Sequence, residues 1–380
     1  MIALGMRLFH AMWDGPRVSH AQFLKLGRMA EIDGLRGVAI LFVLAGHSGD
    51  AMWDRIHGTG VPIFFVNSGF LITLLLLKEL SKRGRVDIKG FYVRRALRLL
   101  PVYFLALLLY TALVLIGLGE NPGDWWGRFV LFVTFQNEFA TAGTFGHTWT
   151  LAMQEKFYFA WPLIGFALVS PLFQRARLWL AVGAVAVLTT AWAVWPHNYT
   201  VPFIPLMLGC VIAILMFDPR GFVVLSALAR PTVFLVIFAA AVLLKVYFGH
   251  LRDISVPFSY LVAMLVPMLL VGPAWAGRVI RWRPLAAVGV WAYSIYLLHP
   301  IVFSAVDLVF PHGQAALGMQ LAHYGVLVAS SCLVGFVSYR LLERPCIEFG
   351  AKYTRRRRGV RATPAEPASL LTAAKPPRRP

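Results

Sequence analysis

Asp33-Gly34-Leu35-Arg36-Gly37-Val38-Ala39-Ile40-Leu41-Phe42-Val43-Leu44-Ala45-Gly46-His47 reads as an apolar helix with a cation near one end and an imidazole at the other. Arg36 and His47 are eleven residues apart. At 100° per residue they fall about 20° out of phase, on one face, with about 16 Å of rise between them. Nothing apolar requires such a pair. Inserted into lipid it costs free energy, so it needs a polar interior to face. The competing reading is an Arg that snorkels to the headgroups and a His bonded to a backbone carbonyl.

The composition around that helix is of the same kind. Of 380 residues, 59% are hydrophobic and 14% are charged, with a mean hydropathy of +0.69. An ordinary soluble domain carries about 25% charge. The chain is therefore read as a polytopic membrane protein. In a soluble protein the net charge of +19 would point to nucleic acid. Here it points to topology, because Lys and Arg accumulate in cytoplasmic loops, and no nucleic-acid partner is expected. Cys210, Cys332 and Cys346 form no Cys-x-x-Cys pair, so neither a disulfide framework nor a metal site is expected.

Apolar runs of membrane length fall at 35–54, 60–78, 99–118, 148–170, 177–195, 201–217, 231–248, 256–273, 285–309 and 321–342. The expectation is an all-α transmembrane bundle of about ten spans. The apolar stretch 125–138 is too short to cross and reads as a re-entrant or interfacial helix. With the N-terminus inside, 31 of the 36 Lys and Arg residues lie on one side, the exceptions being Arg55, Arg128, Lys156, Lys245 and Arg252. Both termini are then cytoplasmic. Residues 1–30 read as a cytoplasmic leader with room for an interfacial helix, 31–346 as the membrane domain, and 347–380 as a disordered basic tail against anionic lipid.

Five stretches carry a resemblance. They are Ile32-Asp-Gly-Leu-Arg-Gly37 with His47; Val61-Pro-Ile-Phe-Phe-Val-Asn-Ser-Gly-Phe-Leu-Ile72; Phe91-Tyr-Val-Arg-Arg-Ala-Leu-Arg-Leu-Leu-Pro-Val-Tyr103; His147-Thr-Trp-Thr-Leu-Ala-Met-Gln-Glu-Lys-Phe-Tyr158; and Tyr293-Ser-Ile-Tyr-Leu-Leu-His-Pro300. With Glu343-Arg-Pro345 they resemble, in order, the acyltransferase-3 family of integral membrane O-acyltransferases. The resemblance implies a bacterial-type cytoplasmic membrane enzyme. It would move an acetyl group from acetyl-CoA to a hydroxyl of a carbohydrate such as a surface polysaccharide, oligosaccharide or glycolipid. Acylation of a small hydrophobic metabolite such as a macrolide is the alternative among enzymes. A secondary transporter is the alternative from another class, since buried ionisable residues mark any pathway. The chain departs from the family pattern at Gln154, where a second carboxylate beside Glu155 is usual, and at Asn67, where an apolar residue is usual.

Acyl transfer from a thioester needs a base, stabilisation of the oxyanion and a grip on the donor. His47 is the candidate base, because imidazole titrates near neutrality. No Gly-x-Ser-x-Gly elbow appears, so direct transfer is expected rather than an acyl-serine. Arg94, Arg95 and Arg98 are the expected grip on CoA phosphates, since guanidinium binds phosphate through two parallel bonds. A positive-inside anchor is the rival reading of these three. Arg36 either binds a phosphate or holds its helix against a carboxylate. Glu155 is expected at the outer end of the fourth span as part of the catalytic, acceptor-side site, bonding hydroxyls or orienting a base, or else as a neighbour pair with Lys156. His147, Trp149, Tyr293 and His299 are the expected acceptor-binding groups, the tyrosine and tryptophan rivalled by ordinary interfacial belts. Glu343 and Arg344 are expected to pair with each other.

Overall fold

The computed structural model describes residues 18–49, 51–169, 174–196, 199–249, 251, 254–310 and 316–357. The leader up to residue 17 and the tail from 358 lie outside the described residues. Among the described residues the regular elements are all helices. In chain order they are α1 (His20–Lys25), α2 (Ala30–His47), α3 (Gly60–Arg83), α4 (Ile88–Leu115), α5 (Pro122–Val133), α6 (Trp149–Pro162) and α7 (Gln174–Val194). There follow α8 (Phe203–Phe217), α9 (Pro219–Leu228), α10 (Pro231–Phe248), α11 (Ser255–Val271), α12 (Ala274–Ile280), α13 (Arg283–Asp307), α14 (Leu317–Ser338) and α15 (Arg344–Arg357).

Helix α3 is the centre of the bundle. Phe65, Ile72 and Leu76 on one side join a core shared with α4, α6 and α13. Val66, Phe70 and Leu74 on the other join a second core with α8 and α11. A helix apolar on every side is buried on every side. Its contact with α8 is close because Gly69 carries no Cβ; one there would collide with the Leu206 carbonyl. Gly289 does the same for α2 and α13, where a Cβ would strike the Asp33 carbonyl. Small residues let membrane helices approach to backbone contact in this way. Local signals set the ends. The Asp87 side chain accepts from Gly90 N–H at 2.9 Å and starts α4. Gly84, at φ 68°, closes α3 in the left-handed region.

Six helices, α3, α4, α7, α10, α13 and α14, are long and apolar enough to cross a membrane. The pairs α8–α9 and α11–α12 are bent by 108° and 103°, and counting each as one span gives eight. The first bend falls at Asp218-Pro219, where Asp218 accepts from Arg220 N–H and Gly221 N–H and Pro219 has no N–H to continue α8. Ten spans were expected. The remaining two are 35–54 and 148–170. Helix α2 carries Glu31, Asp33 and Arg36 within its eighteen residues. Helix α6 has fourteen residues, Glu155 and Lys156 among them. The first carries too much charge for a lipid-facing span and the second is too short to be one, and both line the interior.

Helix α5 packs Trp125 and Phe132 inward and leaves Trp126 and Val130 exposed, as an interfacial helix does. Leu108, Leu115, Trp179, Val187 and Val236 are exposed on other helices, an apolar outer surface suited to lipid. The protein is a multi-pass, all-α integral membrane bundle. Helix α15 packs on α4 and runs to Arg357, past the domain boundary expected at 346.

Candidate active site

Helices α2, α3, α4, α6 and α13 enclose a cavity of about 790 Å³ including its mouth. Arg36, Arg95 and Arg98 line one end; Val43, Thr150 and Tyr296 line the other. Tyr158 and Tyr293 contribute to the walls.

The three α4 arginines do not act as one surface. Arg95 and Arg98 face the cavity, and the Arg95 guanidinium lies 3.6 Å from the centre of the Tyr158 ring. That stacking fixes a planar fork in place. Arg94 lies 100° round the helix from Arg95 and turns to α3, with Nη2 3.7 Å from Glu79 Oε2. Arg98 Nε stands 3.8 Å from Glu343 Oε1. Glu343 is fully buried in a π-helical turn, Tyr339–Glu343, and accepts from Ser294 Oγ at 3.0 Å. The expected Glu343–Arg344 pair does not form. Adjacent helical residues point apart, and Arg344 pairs with Glu348 at 2.8 Å instead. Arg36 feels the charges of Arg98, Asp33 and Glu343, so the cavity floor is a cation cluster with carboxylates set against it.

At the far end four histidines gather. Ring centres are 5.1 Å apart for His47 and His299, 5.4 Å for His147 and His299, and 5.5 Å for His47 and His57. His47 Nδ1 is 2.8 Å from the Val43 carbonyl. A carbonyl only accepts, so Nδ1 carries the proton and Nε2 keeps its lone pair. Pro300 has no N–H, which leaves the Tyr296 carbonyl free within α13. His299 Nδ1 donates to that carbonyl at 2.7 Å, again leaving Nε2 as an acceptor. The Nε2 atoms of His147 and His299 are buried without a partner. His47 itself is exposed at the end of α2.

Tyr296 separates the two regions. Its ring lines the cavity, yet lies 5.6 Å from His147 and 5.8 Å from His299 on the other side. Its hydroxyl donates to the His147 carbonyl and shares a 2.6 Å hydrogen bond with Thr150. The cavity wall reaches Val43, one helical turn short of His47. Asn137 braces this partition, donating to Thr148 Oγ1 at 2.6 Å and Tyr103 Oη at 2.9 Å.

Glu155 does not sit with the histidines. It is in electrostatic contact with Arg95 and Tyr293, nearer the arginine end. Lys156 pairs with Glu138 rather than Glu155. Trp149 is half-buried against the core and takes no part in the cavity wall. Tyr293 is buried, donates to the Leu99 carbonyl at 2.8 Å and lines the cavity, so it is no belt residue. Among the described residues no three His, Cys, Asp or Glu side chains converge on a metal-sized site. Sequence reasoning did not single out His57 or assign a role to Tyr296, and it paired Glu343 wrongly. An acid in an apolar closing span was the available signal for Glu343.

A polytopic bundle whose polar residues converge on one internal cavity and an adjoining imidazole cluster is the class this fold and site define. The chain belongs to the acyltransferase-3 family: the model of its acyltransferase domain matches residues 29–340. It is 28% identical over 358 residues to "Putative peptidoglycan O-acetyltransferase YrhL" of Bacillus subtilis, covering 83% of this chain and 54% of that protein. It is 24% identical over 353 residues to Peptidoglycan O-acetyltransferase OatA of Listeria monocytogenes, covering 83% and 55%. A "Putative O-acetyltransferase" of Staphylococcus aureus is 24% identical over 368 residues, covering 87% and 59%. The chain thus spans somewhat over half the length of these relatives. No solved structure matches it.

Proposed function

We propose that this chain is an O-acetyltransferase that moves the acetyl group of acetyl-CoA to a carbohydrate hydroxyl. The observation that carries the reading is one cavity with Arg36, Arg95 and Arg98 at one end and, one turn beyond the other, an imidazole whose Nε2 is free to accept a proton. The relatives' names support acetyl transfer to peptidoglycan-like carbohydrate over transport.

The phosphates of CoA bind at the arginines, which also carry the positive-inside bias, so the donor enters from the cytoplasm and both termini face it. Its thioester reaches the Tyr296 partition, one helical turn from His47. His47 Nε2 takes the proton of the acceptor hydroxyl as the oxygen attacks the thioester carbonyl. The tetrahedral intermediate collapses with loss of the C–S bond, and the imidazolium returns its proton to the thiolate. The products are the O-acetyl ester and CoA thiol. His147 and His299 hold neighbouring acceptor hydroxyls on their unpartnered Nε2 atoms. Glu155 stands beside Arg95 as its counter-charge.

An apolar cleft lined by Leu109, Leu298, Ile301 and Val306 opens on the same helix as His299. It favours, as the second reading, a hydrophobic small-molecule acceptor reached from the membrane. Incubating the purified protein with acetyl-CoA and either a peptidoglycan fragment or a macrolide separates the two. Ester formation on the glycan alone supports the first; on the macrolide alone, the second. Reporter fusions at the C-terminal tail and after residue 54 should give opposite signals, and matching signals would contradict the sidedness.

A further inference from the structure

We propose that Asn67 and Gln154 form a recognition site for the amide-bearing arm of the acyl donor, accepting its N–H groups on their side-chain carbonyl oxygens. The proposal rests on acetyl-CoA being that donor. Asn67 is 2% exposed and lines the cavity from α3. Its Nδ2 donates to the Ile32 carbonyl of α2 at 3.1 Å, which fixes the carboxamide plane. Its Oδ1 is buried with no partner. A buried acceptor of this kind is unfavourable until a donor reaches it. Gln154 lines the cavity from α6 and donates from Nε2 to Ser68 Oγ at 2.5 Å. Each carboxamide has an N–H anchored on the protein, so each offers a ligand its carbonyl oxygen.

Elsewhere the cavity wall between the arginines and Tyr296 is largely apolar, with Val61, Phe64, Leu71, Ile72 and Leu151. A donor whose phosphates lie at Arg95 and Arg98 and whose thioester nears His47 must thread its linker through this stretch. A pantetheine arm carries two secondary amide N–H groups, and each needs an acceptor once out of water. Asn67 and Gln154 supply two from two different helices. A carboxamide accepts a hydrogen bond without adding negative charge near the donor's phosphates, which a carboxylate at 154 would add.

The test uses the full chain in lipid nanodiscs and two ligands. CoA carries phosphates and arm; adenosine 3′,5′-bisphosphate carries phosphates only. Asn67→Leu and, separately, Gln154→Leu should each weaken CoA binding about five- to tenfold, the scale of one hydrogen bond. Both should leave the Kd for adenosine 3′,5′-bisphosphate within about twofold. That second ligand also reports the fold, since Asn67→Leu removes a bond between α2 and α3. If Asn67→Leu fails to bind either ligand, Gln154→Leu decides. Equal losses for both ligands, or no loss of CoA binding, overturn the assignment. So does a loss confined to acceptor KM, which would give these oxygens to acceptor hydroxyls. A parent chain that does not bind CoA overturns the donor reading and this one with it; retained binding in both Leu variants overturns this one alone.

Discussion

Arg98 on α4 reaches the buried carboxylate of Glu343, with Nε 3.8 Å from Oε1, across the junction of α14 and α15. Glu343 is fully buried and the Arg98 side chain is 30% exposed, so the pair is neither a free surface bridge nor a dry one. Glu343 also senses Arg36 and Arg95. Glu343 therefore interacts with all three guanidinium groups around the cavity floor, with Asp33 adding to the field at Arg36 and Glu155 at Arg95.

Glu343→Gln keeps an acceptor for Ser294 but removes the charge. It should destabilise the bundle by about 2 kcal/mol, below the usual value for a fully buried pair because Arg98 is partly solvated. The melting midpoint of the purified protein should fall, and a double-mutant cycle with Arg98→Gln should show coupling. Additive effects would mean that the two side chains do not interact.

The division of the arginines gives a second prediction. Arg95→Lys and Arg98→Lys keep the charge but lose the planar fork, and each should weaken CoA binding by about tenfold. Arg94→Lys, which faces Glu79, should leave it within about twofold. Binding titrations with the three single variants check this. Equal losses at all three positions would restore the single cationic surface that the spacing predicts.

How much of this was legible beforehand can be seen residue by residue. That Arg36 and His47 share one helix was readable from the apolar run between them, and an all-α membrane bundle followed from composition. Arg94 was not separable from Arg95 and Arg98, because the direction a helix presents to its neighbours is set by tertiary packing. Glu343 looked like a neighbour of Arg344 in sequence, while its partner lies on a helix some 245 residues earlier. The two runs at α2 and α6 differ from the other eight for physical reasons: α2 carries Glu31, Asp33 and Arg36, and α6 gives way after fourteen residues to the π-helical turn Leu163–Leu168.

Tyr296 yields a third prediction. Tyr296→Phe removes the hydroxyl that joins Thr150 to the His147 carbonyl, leaving buried polar atoms unpaired at a cost of about 1–3 kcal/mol. Tyr296→Ala also removes the partition itself. Water should then reach a bound thioester, and acceptor-independent release of CoA thiol should rise above that of the parent. A Tyr296→Ala variant with parental background hydrolysis would mean that the ring does not separate donor from acceptor.

We propose His47 Nε2 as the base in a direct transfer from acetyl-CoA. The most direct measurement follows labelled acetyl from acetyl-CoA to a glycan hydroxyl, with CoA thiol release, for the purified parent and for His47→Gln. Gln keeps a hydrogen-bonding side chain at the end of α2 but cannot serve as a base near neutral pH. Label transfer and thiol release should be coupled in the parent. In His47→Gln both should fall by about 10²–10⁴-fold, with CoA binding retained. Near-parental transfer by His47→Gln, or acetyl label trapped covalently on the protein, would contradict it.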